Sequence, residues 1–128
     1  MVILDTNILI DHLRQQNIKL TLYQKLLKKY SRKSLGISTI SLQELFIGQS
    51  TRSTKFKKEI LLSVSGIKVF SHNKAIAQLA GEFMRDSENN LQLADAAIAA
   101  TAVHYGASLA TLNTKDFKGI LSLKLLKL

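Results

Sequence analysis

Cysteine is absent from this chain, which excludes disulfides and thiolate metal sites and fits a reducing compartment. The expected location is the cytoplasm. Proline is absent too, so the usual punctuation of an interdomain linker is missing. No apolar run approaches the ~20 residues needed to cross a membrane. The opening Met-Val-Ile-Leu-Asp has no basic stretch and reaches an acid at once, which argues against a signal peptide. No internal repeat or low-complexity tract is visible. Acids are scarce: nine Asp and Glu stand against eighteen Lys and Arg, giving a formal net charge of +9 and a pI near 9.9. Such a balance attracts polyanions, with nucleic acid first and an acidic partner protein next.

What is present is ordinary for a folded domain. Apolar residues make up 46% and charged residues 21% of 128 residues, enough for one core, so residues 1–128 read as a single domain and not as a disordered chain. Val2-Ile3-Leu4 reads as a buried strand, and Asp5-Thr6-Asn7 breaks it with turn and cap residues. Helical spacing follows at Ile8 to Leu13 and again from Leu20 to Tyr30. Leu35 to Ile40 reads as a strand, and Ser41 opens a helix that Gly48 ends or packs closely. Lys55 to Val64 is a helix with a basic face. Ile67 to Phe70 is a strand, Lys74 to Met84 a helix, and Leu91 to Tyr105 a long helix closed by Gly106. Ser108 to Thr111 and Leu121 to Leu126 supply two more strands. This alternation predicts an α/β sandwich with a parallel sheet of about four or five strands. Ligands in such sheets sit at the carboxyl ends of strands.

Four of the few acids fall where acids are least expected. Asp5 follows the first strand, where it either caps the next helix or binds a metal. Glu44 completes Ser41-Leu42-Gln43-Glu44, the pattern of a capping box, yet a carboxylate there also has the option of turning to a metal. Asp95 is the sole charge between Ala94 and Val103. The helix dipole offers an exposed first-turn acid only ~0.3–1 kcal/mol, which is small beside the penalty for burying a lone charge. Asp116 lies in a polar loop as either a turn residue or a site acid, with Asn113 offering a neutral amide oxygen nearby. Oxygen-only clusters suit Mg²⁺ or Mn²⁺. His12, His72 and His104 show no metal-ligand spacing and read as surface or packing residues.

The blocks Leu4-Asp5-Thr6-Asn7-Ile8, Ser41-Leu42-Gln43-Glu44-Leu45 with Gly48, Leu93-Ala94-Asp95 through Ala102, and Leu109-Ala110-Thr111 through Phe117 resemble, in this order, a PIN domain. The resemblance is to the VapC group in particular, the ribonuclease toxins of type II toxin–antitoxin systems. It spans nearly the whole chain and implies a three-layer α/β/α sandwich. It implies that Asp5, Glu44 and Asp95 bind metal and are catalytic. Many PIN domains have Asp at the position of Asn113, so the fourth place falls either to Asp116 or to Asn113. Thr6 and Thr111 match hydroxyl positions that support the acids.

The resemblance further implies an endoribonuclease using one or two Mg²⁺ or Mn²⁺ ions, with products ending in 3′-hydroxyl and 5′-phosphate. It implies a cognate antitoxin and a homodimer, whose candidate interface is Leu42, Leu45, Phe46, Leu61 and Leu62. From His12 to Gln43 no acid occurs, while Arg14, Lys19, Lys25, Lys28, Lys29, Arg32 and Lys33 do. Arg52, Lys55, Lys57 and Lys58 add a second group. These are candidate phosphate contacts for RNA or for an acidic antitoxin tail. Tyr23 and Phe46 are candidates for base stacking, Phe46 more readily for the core. Competing readings are a housekeeping PIN nuclease in RNA maturation, a catalytically inactive RNA-binding module, and an aspartate-nucleophile phosphatase or receiver. The last is weakened because the residue two after Asp5 is Asn7 and not a second acid.

Overall fold

The computed structural model describes residues 1–15 and 20–128; Lys19, one of the candidate phosphate contacts, lies outside them. Five short strands form one all-parallel sheet in the order β3-β2-β1-β4-β5. They are β1 (Val2–Leu4), β2 (Leu35–Ser38), β3 (Lys68–Phe70), β4 (Ser108–Ala110) and β5 (Lys124–Leu125). The helices are α1 (Thr6–Arg14), α2 (Leu22–Tyr30), α3 (Thr39–Leu45), α4 (Thr54–Ser63), α5 (Lys74–Asp86) and α6 (Leu93–His104). The predicted α/β sandwich is therefore present. β1 is central, paired with β2 on one side and β4 on the other, and the chain order reverses beside it. That is the switch point at which open parallel sheets leave a crevice beyond their carboxyl ends.

Alternation along the strands builds two cores. Val2 and Leu4 point to one face with Leu35, Ile37, Ile8, Leu9, Tyr23 and Ile60, beneath α1, α2 and α4. Ile3 points to the other with Leu109, Ile98 and Phe117, where α6 lies on the sheet. α5 then packs over α6 through Ile76 and Ala80 against Ala96 and Ala100. The alanines of α6 are buried from Ala96 to Ala102, so small side chains let this helix lie close between the sheet and α5. Gly36 in β2 answers a similar demand. A Cβ there would meet Phe70 Cε2 at 2.6 Å. Gly106 follows α6 at φ 63°, the left-handed C′ position expected of it.

The structure moves some boundaries. β2 ends at Ser38 and α3 begins at Thr39, with Ser38 as N-cap, its Oγ accepting from the Ile40 N–H at 3.1 Å. Ser41 thus lies inside the helix, buried, and not at its start. Gly48 has φ −66° and opens the 3-10 turn Gln49–Arg52, so it is not a left-handed helix stop. Tyr23 is buried and its hydroxyl donates to the Ser63 carbonyl, so it is not available to stack on a base. Phe46 is half-buried against the first core. Leu45 is also core, 6% exposed, which removes it from the candidate interface; Leu61 and Leu62 remain exposed. Among the described residues no helix is long and apolar enough to cross a membrane.

Candidate metal centre

Asp5 emerges from β1 at the N-cap position of α1, yet its side chain makes no capping bond to that helix. Its backbone N–H continues the sheet pattern, donating to the Ala110 carbonyl at 2.9 Å. Its Oδ2 instead accepts from the Thr111 hydroxyl at 2.6 Å, across the crevice between the ends of β1 and β4. The capping alternative for Asp5 is thereby removed. Asp5 is 5% exposed. Burial pushes its carboxyl above the usual range, while the Thr111 hydroxyl and Thr6 amide pull it down, and the charges of Glu44 and Asp116 push it further up.

The earlier start of α3 changes the role of Glu44. With Ser38 as cap, Glu44 belongs to the last turn of α3 and takes no part in a capping box. Its Oε1 accepts from Thr6 Oγ1 at 2.6 Å. Thr6 Oγ1 also lies 2.9 Å from Ser41 Oγ. Thr6 has one hydroxyl proton, and the carboxylate is the stronger acceptor, so Ser41 donates to Thr6 and Thr6 to Glu44. The relay joins α1 to α3 and commits one oxygen of Glu44.

Asp95 sits in the first turn of α6, half-buried, with no hydrogen-bonding cap at Gln92. Its pKa is pushed up to about 6, first by burial and then by the charges of Asp5, Asp116 and Glu44. Asp116 is exposed in the 3-10 turn Thr114–Phe117, and its charge is felt by both Asp5 and Asp95. Asn113 is exposed, and its contact with the group is through its backbone N–H, which donates to Thr111 Oγ1 at 3.0 Å. Of the two candidates for the fourth place, Asp116 is thus the one whose charge reaches the other acids.

The chemistry of the donors fits a hard divalent cation. Acids from four separate segments are close enough for their charges to be felt at Asp5 and Asp95. Arg85–Asp86, neither residue of which belongs to this group, is the one ion pair among the described residues. No lysine or arginine among those residues therefore pairs with the group. The side chains are not preassembled around one point: among the described residues no three His, Asp or Glu groups form a ready-made ion site. Asp5 and Glu44 each have an oxygen committed to a threonine, and an ion would draw on the remaining oxygens. The supporting residues Ser41 and Asn7 were not singled out from the sequence. Asn7 Nδ2 donates to Thr111 Oγ1 at 3.4 Å, and its Oδ1 accepts from the Leu112 N–H at 3.2 Å. The signal available was their place inside the Asp-Thr-Asn and Ser-Leu-Gln-Glu blocks.

The three histidines stand apart from the acids in bonding. His12 Nδ1 is 2.7 Å from Thr21 Oγ1 and its ring meets Tyr23 edge-on. His104 packs edge-on against Tyr105, and His72 is exposed. The cations Arg14, Lys25, Lys28, Lys29, Arg32 and Lys33 are exposed, as are Arg52, Lys55, Lys57 and Lys58.

A family model described as PIN domain matches residues 2–120. The ribonuclease VapC10 of Mycobacterium tuberculosis is 32% identical over 120 residues, covering 91% of this chain and 86% of the relative. Among solved structures, a chain of a toxin–antitoxin complex from Klebsiella pneumoniae superposes with a TM-score of 0.74 at 28% identity, covering 96% of this chain and 95% of that one. A chain of VapBC2 from Rickettsia felis, bound to a DNA fragment from their promoter, gives a TM-score of 0.81 at 25% identity over 98% of each chain.

Proposed function

The chain belongs to the PIN-domain family, and we propose that it is a metal-dependent endoribonuclease, the toxin of a type II toxin–antitoxin pair. One observation carries the catalytic part: four acids, brought by β1, α3, α6 and the turn after β4, share the switch-point crevice, and no cation among the described residues pairs with them. The 32% identity to a VapC ribonuclease across nearly the full chain supports the toxin assignment over a housekeeping nuclease.

Asp5, Glu44, Asp95 and Asp116 would hold Mg²⁺ or Mn²⁺. When bound, such an ion lowers the pKa of a water and offsets charge developing on the scissile phosphate. The residues of the chain do the rest. Thr111 and Thr6 hold Asp5 and Glu44 in fixed orientations by short hydrogen bonds. The first turn of α6 brings Asp95 to the crevice, half-buried beside the other acids. The exposed lysines of α2 and α4 would hold phosphates of the RNA, giving affinity without choice of sequence.

The antitoxin would have a place to go. A groove of about 320 Å³ is lined by Ile10, Leu13, Leu45 and Phe56 together with Arg14 and Glu44. An apolar segment of the antitoxin lying there would reach an acid of the site. Leu61 and Leu62, exposed on α4, and the half-buried Leu42 and Phe46 are the remaining candidates for a homodimer contact; a monomer by light scattering at micromolar concentration would count against the dimer.

The test is cleavage of RNA by the purified chain with Mg²⁺ or Mn²⁺, with chelator as control and the new ends mapped. Cleavage that ignores chelator would contradict the metal reading. Expression that is harmless in cells, with no neutralising gene beside it, would favour the housekeeping alternative.

A further inference from the structure

Thr111 Oγ1 has one proton to donate and two lone pairs to fill. The Asn113 N–H takes one lone pair at 3.0 Å, and Asn7 Nδ2 takes the other at 3.4 Å. Neither donor can receive the hydroxyl proton. The one acceptor left to it is Asp5 Oδ2, at 2.6 Å. An ionised Asp5 can only accept, and the two nitrogens behind Thr111 leave its hydroxyl no other direction in which to point. The amide of Asn7 cannot turn over, because its Oδ1 accepts from the Leu112 N–H at 3.2 Å, and a flip would set N–H against N–H at that end.

Asn7 thus spans the crevice. It sits in the first turn of α1 and grips two consecutive residues after β4, beside the backbone bond from Asp5 to Ala110. Its chemistry is specific to the task. An Asp at this position would accept from Leu112 but would compete with Asp5 for the Thr111 proton, and would add a fifth charge to the group. A Ser or Leu would lose one or both bonds. Only a side chain with a donor and an acceptor on one planar end satisfies both neighbours.

Resting on the nuclease reading of Asp5, we propose that Asn7 is a positioning residue: it locks Thr111 as a donor to Asp5 and so fixes the plane in which the Asp5 carboxylate meets a divalent cation. Asn7 touches neither ion nor substrate and acts through Thr111. Removing a group that orients a metal-binding carboxylate lowers metal affinity by ~10–100-fold.

Two measurements on the full chain test this without RNA. The first is Mn²⁺ affinity by calorimetry for Asn7→Ala, Thr111→Val and the double variant. Each single change is expected to weaken binding about tenfold, and the double change by about the same, because Asn7 works through the hydroxyl already removed. Thr111→Ser keeps the hydroxyl and should restore affinity to within about twofold. The second is amide exchange of Leu112 in the metal-free protein, which should quicken in Asn7→Ala and stay slow in Thr111→Val. Asn7→Ser replaces the alanine variant should that one not fold.

Wild-type affinity in Asn7→Ala, or a double variant about a hundredfold weaker than wild type, as independent effects would give, overturns the proposal. So does unchanged Leu112 exchange. If the wild-type chain itself binds no Mn²⁺ and cuts no RNA, the nuclease reading fails, and the Leu112 measurement still decides whether Asn7 makes the tie.

Discussion

Two regions of this small protein deal with charge in opposite ways. In the crevice beyond β1 and β4, carboxylates crowd together and are held by hydroxyls and an amide. On the outer faces of α2 and α4, Lys25, Lys28, Lys29, Lys55, Lys57 and Lys58 are exposed. The eighteen lysines and arginines outnumber the four acids of the crevice more than fourfold, yet the one ion pair among the described residues is the surface pair Arg85–Asp86. Threonines, unlike arginines, orient a carboxylate without cancelling its charge. The separation leaves two unmet demands: a small cation at the crevice, and a polyanion on the helical face. RNA and a metal ion, as proposed, would satisfy both.

The largest effect should come from breaking the crevice. Asp95→Asn is expected to lower metal-dependent RNA cleavage at least about a hundredfold, since several kcal/mol of charge stabilisation would be removed. RNA affinity, measured by a filter or fluorescence assay, should barely change. A variant that cut normally would reduce Asp95 to a helix-start residue.

Breaking the other region should have the converse outcome. Replacing Lys25, Lys28 and Lys29 together by alanine is expected to weaken RNA binding about tenfold or more at low salt. The dependence of log affinity on log salt should fall by about one for each lysine–phosphate pairing removed. Cleavage at saturating RNA should persist, because no crevice residue is altered. Unchanged binding would move the RNA surface elsewhere.

The smallest expected effect is on stability against pH, without metal. Asp95 titrates near 6 in the folded protein and at an ordinary carboxylate value of about 3.9 when unfolded. Between these values the folded state holds more proton than the unfolded one, so stability falls as pH rises through this window and levels off above it. Asp5, also raised, adds a fall in the same direction. Melting temperatures of wild type and Asp95→Asn between pH 4 and 7 should therefore diverge as pH rises, with the wild type falling further. Parallel curves would mean that neither burial nor the neighbouring acids raise Asp95.

Much of this was legible in the sequence, for a physical reason. Val2-Ile3-Leu4 is apolar throughout because a central parallel strand is covered on both faces, and an acid placed immediately after it, or alone among the alanines of α6, is expensive enough to require explanation. What was illegible depended on competition between near-equal caps. Ser38 and Ser41 are both good N-cap residues three positions apart, and Ser41-Leu42-Gln43-Glu44 satisfies the capping-box spacing without forming one. A cap at Ser38 moves Glu44 from the first turn to the last, which sets it against Thr6. Asn7 was hidden because its partners, Thr111 and Leu112, are over a hundred positions away. Leu45 looked like a candidate for an interface because helical periodicity does not distinguish burial within the chain's own core from burial beneath a second copy.

The proposed cation site rests on mutually repelling acids in the crevice. The most direct test is the melting temperature of wild type and Asp95→Asn, each with and without Mn²⁺. A ligand at a hundred times its dissociation constant stabilises a folded protein by about 2.7 kcal/mol, several degrees for a domain of this size. Mn²⁺ is predicted to raise the wild-type melting temperature. Asp95→Asn without metal is predicted to melt at or above the wild type, and Mn²⁺ then to raise it little. An Asp95→Asn protein that melts lower without metal, and gains from Mn²⁺ as much as the wild type does, would contradict the account.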